Sequence, residues 1–359
     1  MGAGAGGAAA LAVLLAGAAA AEPWRFATFN ADLSRDGPGL LYRDALEGED
    51  DVADAAARIA AAAPDVLAMQ GLDWDAEGLA IGALGAALEA AGHPMPFVHA
   101  GPTNRGVPAT QDGDLDGDGR TFEGDDMHGW ARYSGQDGMA ILSRFPLGEV
   151  ADLSRLLWSD LPNARRAGAD GSDLLEGPYA GLRLSTTAHW AVPVELPGGR
   201  ITVAAHHATP PVFDGAEDRN GRRAADEAAL WGAWLDGALA EVPGGAPAPE
   251  GPVVLLMGAN VDPEDGDGLG AAMQALLDRP DLIDPAPRGP ARPAVADGHS
   301  GDPALDTVDW PDPPEGPGDL RVDYAIPSAD LRVVASGVEW PAEGAASRHG
   351  IVWVDVALP

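Results

Sequence analysis

The sequence predicts an α+β fold in which strands outnumber helices. Two observations carry this. Short apolar runs of strand length recur along the chain, and many end on a polar residue, as at Phe29-Asn30 and Ala205-His206-His207. Only three stretches, at residues 50–63, 76–91 and 224–242, carry an extended helical pattern. The 359 residues include 48 glycines and 32 prolines, which points to a loop-rich globular protein and stays below the composition of low-complexity chains.

In chain order, residues 24–30 form the first strand. Asp50 and Asp51 then open an Ala-rich helix that runs to residue 63 and is stopped by Pro64-Asp65. Residues 66–69 are a short apolar run expected as a buried strand, and a second helix fits 76–91. From His93 to Tyr133 the chain turns to Gly, Asp and Pro, a long loop. Strands are expected at 138–143, 182–185, 201–205 and 253–257, then at 322–326, 331–334 and 351–354. The helix at 224–242 carries Leu230, Trp231, Trp234, Leu235, Ala238 and Leu239 on one stripe, which marks a core-facing side. No internal repeat is visible, and the proline-rich stretch 285–317 reads as a surface loop within one domain spanning 22–359.

Composition excludes several functions. The formal net charge of −34 argues against a strong nucleic-acid-binding surface, because backbone phosphates need Lys and Arg. The absence of cysteine removes disulfides, thiolate zinc sites, iron–sulfur clusters and cysteine nucleophiles. Residues 1–21 carry no charged side chain and hold an apolar run at Leu11-Ala12-Val13-Leu14-Leu15. Four alanines, Ala18 to Ala21, then precede Glu22-Pro23. This pattern is expected of a secretory signal peptide, hence a secreted or periplasmic protein. No other stretch has the length for a membrane span.

One segment has a metal signature of its own. Asp112, Asp114, Asp116, Gly117, Asp118 and Glu123 follow the twelve-residue D-x-D-x-D-G-x5-E pattern of a calcium loop, so Ca²⁺ is expected at 112–123. The closely spaced carboxylates supply hard oxygens, Gly117 permits the sharp turn, and Glu123 can close the site with both oxygens.

A series of ordered motifs carries a resemblance. Phe29-Asn30, Pro64-Asp65-Val66-Leu67, Gly138-Met139-Ala140-Ile141-Leu142-Ser143-Arg144 and Asn260 come in the order found in the endonuclease/exonuclease/phosphatase family. So do Arg321-Val322-Asp323-Tyr324 and Ser347-Arg348-His349. The stretch His207-Ala208-Thr209-Pro210-Pro211-Val212-Phe213-Asp214-Gly215, followed by Glu217-Asp218-Arg219-Asn220-Gly221-Arg222-Arg223, is similar to that of secreted bacterial members. The resemblance implies a DNase I-like four-layer sandwich, two packed and mostly antiparallel sheets flanked by helices. It also implies phosphoester hydrolysis with a bound hard cation.

Within these motifs the chain departs from the family at its acids. Gly71 stands where the family pattern has a metal-binding Glu, Gly258 where it has the Asp that activates water, and Arg348 where it has an Asp; Asp137 stands where a Tyr is common. Asn30, His207, Asn260, His349 and Asp323 match the pattern, Asp323 as the acid that orients a histidine. A dication among neutral and cationic groups is physically unfavourable. The leading expectation is therefore a non-catalytic protein that binds a phosphate-bearing ligand or a protein partner. The alternative is an active phosphodiesterase, nuclease or phosphatase holding Mg²⁺ or Mn²⁺ in the cleft through substitute acids such as Asp32, Asp73, Asp75 or Asp262.

Overall fold

A computed structural model of the chain describes residues 1–2, 22–290, 299–342 and 344–358. The expected leader lies almost entirely outside these residues. Two sheets form the centre. The first contains β1 (Trp24–Asn30), β2 (Val66–Leu72), β3 (Phe97–His99), β4 (Gly138–Ser143), β12 (Arg332–Glu339) and β13 (Ile351–Ala357), in the order β12-β13-β1-β2-β4-β3. The second contains β5 (Ala151–Asp152), β6 (His189–Leu196), β7 (Gly199–His207), β8 (Val253–Gly258) and β11 (Asp323–Pro327), in the order β11-β8-β7-β6-β5. A ribbon of β9 (Val308–Asp309) and β10 (Asp319–Leu320) stands beside them.

Each sheet is antiparallel except for one parallel pair, β1 with β2 and β7 with β8. A parallel pair needs a helical crossover. Helices α1 (Leu40–Glu47) and α2 (Asp50–Ala62) supply it in the first sheet, and α4 (Arg219–Leu235) in the second. The register sets Asn30 beside Gln70 and His207 beside Gly258, so each pair presents two strand ends at its rim.

Strand alternation sorts the side chains into three layers. Phe26, Val66, Ala68, Met139 and Ile141 of the first sheet meet Val192, Val203, Ala205, Val254 and Leu256 of the second. Their neighbours Ala27, Phe29, Leu67 and Met69 face α1, α2 and α3 (Leu79–Ala90), while Ala204, Leu255 and Met257 pack under α4 and α5 (Gly270–Leu277). Full burial of each large apolar side chain contributes about 1.5–3 kcal/mol. A charge at Val203, 0% exposed between the sheets, would break that layer. The result is the α+β sandwich expected from the sequence.

Several elements differ from expectation. Residues 182–185 are not a strand; they follow a 3-10 turn and make a single bridge, Leu157 with Arg183. The second-sheet strand in that part of the chain is β6. It tolerates Pro193 because β5 pairs only with Trp190 and Ala191, leaving Pro193 to accept a bond from Gly148 N–H. Helix α3 starts at Leu79 because the Asp75 carboxylate takes the N–H groups of Leu79 and Ala80. Helix α4 occupies 219–235 rather than 224–242. The stretch 285–317 is more than a surface loop, since Asp306, Thr307 and Val308 are buried.

Candidate functional site

Asn30, His207, Asn260, Arg348 and His349 line one cavity of about 350 Å³ at the shared rim of the two sheets. Asp323 lies behind it, 0% exposed, with its Oδ2 2.7 Å from His349 Nδ1. With Nδ1–H given to Asp323, His349 Nε2 is left to accept from Asn30 Nδ2 at 3.4 Å. The backbone of this corner is tied by Ser347, whose hydroxyl donates to Asn30 O and accepts from His349 N–H. Asn260 sits at φ 55, a conformation asparagine tolerates, and its Nδ2 donates to Ala208 O, joining the ends of β8 and β7.

His207 is buried, and desolvation, then Arg105 and His349, push its pKa down to about 3. It is therefore neutral near pH 7, and its Nδ1 has no protein partner. Gln70 lies beneath the rim, donating to Thr28 Oγ1 while its own Oε1 is unpaired.

Gly71 is the extra residue of a β-bulge between Gln70 and Leu72, with φ +72. A Cβ there would stand 2.2 Å from Asn30 Oδ1 and 2.8 Å from Asp32 N. A Cβ at Gly258 would meet His207 Cδ2 at 3.2 Å and Asp323 Oδ1 at 3.6 Å. Arg348 lies at the mouth, its Nη1 on Asp309 O at 3.1 Å.

Of the acids weighed as substitutes, Asp32 alone lines the cavity. Asp73 accepts from Ser34, Arg35, Tyr133 and the Asp137 N–H; Asp75 caps α3; Asp262 holds the N–H groups of Glu264, Asp265 and Arg321. Asp137 joins Asp32 in the wall but pairs with Arg105 at 2.6 Å. Ser34, Arg105, Trp130, Gln136, Pro210 and Trp310 complete the lining, and of these only Pro210 was anticipated. Arg105 and Trp130 come from the long loop, whose sequence gives no periodic signal. Arg105, Trp130, Asp137 and Pro210 also line a neighbouring cavity of about 700 Å³.

Among the described residues, one trio of acid or imidazole groups has its ligand atoms within 4.8 Å of one another: Asp114, Asp116 and Asp118. Gly117, at φ +80, makes the expected turn. Asp112 and Glu123 are not part of this cluster, and Glu123 faces Arg120 at 3.0 Å.

No helix among the described residues is long and apolar enough to cross a membrane. Comparison with solved structures gives the same fold. An endonuclease/exonuclease/phosphatase from Beutenbergia cavernae is similar over 94% of this chain and 72% of its own, with 21% identity and a TM-score of 0.57. A family protein from Leptotrichia buccalis is similar over 93% of this chain and 100% of its own, with 16% identity and a TM-score of 0.51. No curated protein matches the sequence. The model of the Endonuclease/Exonuclease/phosphatase family matches residues 27–349, nearly the whole described domain, and by that match the chain belongs to this family.

Proposed function

We propose that this chain binds a phosphate-bearing ligand in the family cleft without metal-dependent hydrolysis. The observation that carries the reading is the donor set: three amides, two imidazoles and two arginines line the cavity, with its two acids, Asp32 and Asp137, on the wall. A divalent cation takes hard, mostly anionic oxygens, and the space a Cβ would need at Gly71 is taken up by Asn30 Oδ1 and the Asp32 backbone. These residues do not fit a resident Mg²⁺ or Mn²⁺, and no chemical step is routed through one. They do suit an anion. Asn30, Asn260 and Arg348 can donate hydrogen bonds, and the His349–Asp323 pair can hold a proton beside bound phosphate.

A second reading is a hydrolase that uses Asp32 and Asp137 as metal ligands, favoured by their common place in the wall. One experiment separates the two. The chain is assayed on a chromogenic phosphodiester with Mg²⁺ or Mn²⁺, and sulfate binding is measured by calorimetry. The proposal expects sulfate binding that Arg348→Ala weakens, and no EDTA-sensitive turnover. Turnover abolished by EDTA and by His349→Ala would decide for the hydrolase.

A further inference from the structure

The segment 306–310 holds the back of the cleft. Thr307 Oγ1 accepts the N–H groups of Val322 and Asp323 at 3.0 Å each, and Thr307 O accepts Gly350 N–H at 2.7 Å. Val308 bridges to His349, Asp309 N–H donates to Arg348 O, and the Trp310 ring stands edge-on to His349 with centroids 5.8 Å apart. This short stretch thus touches both members of the His349–Asp323 pair or their immediate neighbours.

At the head of the segment is a carboxylate with an oxygen left unpaired among the described residues. Asp306 is 6% exposed and its Oδ2 has no hydrogen-bond partner. The charged groups that face it are mostly acids: Asp262 and Asp265 from the loop after β8, and Asp319 from β10. Among the described residues, His299 favours its charge. The nearby Arg321 guanidinium is turned away onto Asp284 at 2.6 Å. Asp262 and Asp265 are themselves anchors, holding Arg321 N–H and the N–H groups of Ser300 and Gly301.

We propose that Asp306 is a proton-operated latch: its neutral form seats the segment 306–310 that positions His349 and Asp323, and its ionisation loosens that segment and weakens ligand binding in the cleft. A buried carboxylate oxygen left unpaired beside other acids is costly, and a proton removes that cost without moving a neighbour. In line with this, burial, then Asp262 and Asp319, push its pKa up to about 7. The unfolded chain ionises Asp306 near the ordinary value, so between the two values the folded state holds the extra proton. Stability is present at lower pH and is lost as pH rises through about 7.

The coupling to ligand rests on the anion-binding reading of the cleft; the latch itself does not. The test compares the full chain with Asp306→Asn in EDTA, by chemical denaturation at about pH 6.5 and about pH 8. Buried neutral histidines, whose unfolded forms are about half protonated near pH 6.5, contribute equally to both proteins and cancel in the comparison. Glu227, which burial also pushes up to about 7, contributes equally to both proteins. The wild type should lose about fourfold more in its folding equilibrium constant than the variant across this interval. Equal losses would overturn the latch. Carboxyl-carbon NMR of the wild type guards against a variant that folds poorly: an aspartate titrating near neutrality is expected, and its absence would overturn the proposal equally. Sulfate serves as the ligand probe because it does not titrate here. The wild type should lose more sulfate affinity than Asp306→Asn over the same interval, and equal losses would sever the latch from the cleft. No sulfate binding at either pH would defeat the anion-binding reading, while denaturation alone would still judge the latch.

Discussion

The two parallel strand pairs reach the cleft from opposite sheets, and they are built on different principles. The rim of the first sheet ends in amides, Asn30 and Gln70, which do not titrate, and its shape depends on the left-handed backbone of Gly71. The rim of the second ends in His207, buried and neutral, with His206 behind it stacked on His189 at 4.5 Å and accepting a bond from Trp231 Nε1. Gly258, its glycine, has an ordinary backbone, and a Cβ there would need only the His207 ring to give way. One rim is held by backbone geometry and the other by uncharged imidazoles. They should therefore fail under different insults, a methyl group in the first case and a proton in the second.

The largest effect expected is acid on the second rim. Burial pushes His207, His189 and His128 down to about 3, and holds His206 well below its ordinary value. The folded state keeps them neutral while the unfolded chain takes protons below about pH 6.5, so stability present above that value is lost as pH falls toward 3. Each such histidine then costs about 2 kcal/mol at about pH 5. Hydrogen exchange at that pH should show β6 and β7 opening before β1 and β2. Opening in the reverse order would erase the distinction between the rims.

A methyl group should do the converse. Gly71→Ala places a Cβ in the left-handed region, 2.2 Å from Asn30 Oδ1 and 2.8 Å from backbone, and should cost about 2–4 kcal/mol in denaturant unfolding. Gly258→Ala asks His207 Cδ2 to yield a few tenths of an ångström and should stay within about 1 kcal/mol. Equal costs would show that the bulge at Gly71 relaxes freely.

That asymmetry marks what the sequence could and could not reveal. Strands β1, β2, β4, β7 and β8 were legible because each is a short, mostly apolar run, and with them the polar residues at their ends that meet in the cleft. Helix α1 was not, since it is only 8 residues long and begins after Gly39 without a side-chain cap. Strand β6 was hidden by Pro193, and residues 182–185, buried but irregular, took its place in the sequence reading. The glycines at 71 and 258 were equally visible as departures from a family pattern. Their difference lies in φ and in what fills the space beside them, neither of which a sequence prints. Arg105 and Trp130 belong to the cleft through chain folding alone.

The next effect down tests the acids themselves. Because Gly258 has an ordinary backbone and asks only the His207 ring to shift, whereas Gly71 meets backbone, Gly258→Asp combined with Arg348→Asp is the pair of changes that should create cation affinity beside Asp323. Bound Mn²⁺ should then stabilise the double variant by about 1–3 kcal/mol beyond any effect on the wild type, as mass action requires. Gly258→Asp alone should gain little, since Arg348 still faces the site. A melting temperature of the double variant that moves with Mn²⁺ no more than the wild type's would show that the second rim, too, has changed beyond its missing side chain.

The smallest effect lies outside both rims, at 112–123. We propose that Ca²⁺ binds there, on Asp114, Asp116 and Asp118, whose oxygens already lie within 4.8 Å of one another. The twelve-residue pattern also calls on Glu123, which is instead paired with Arg120. That pair is exposed, so it is worth about 0–1 kcal/mol and can yield to a cation. Calcium at about tenfold its Kd should therefore add about 1.4 kcal/mol to stability, read as a higher melting temperature than in EDTA. Asp116→Asn with Asp118→Asn should remove the shift, and Arg120→Ala should enlarge it by freeing Glu123. If Glu123→Gln leaves the shift unchanged, the ion sits on the three aspartates without the closing ligand. Because none of residues 112–123 lines the cleft, calcium should leave the order in which β1, β2, β6 and β7 exchange at low pH untouched. A melting temperature identical in calcium and EDTA would mean that these carboxylates are solvated charge and hold no ion.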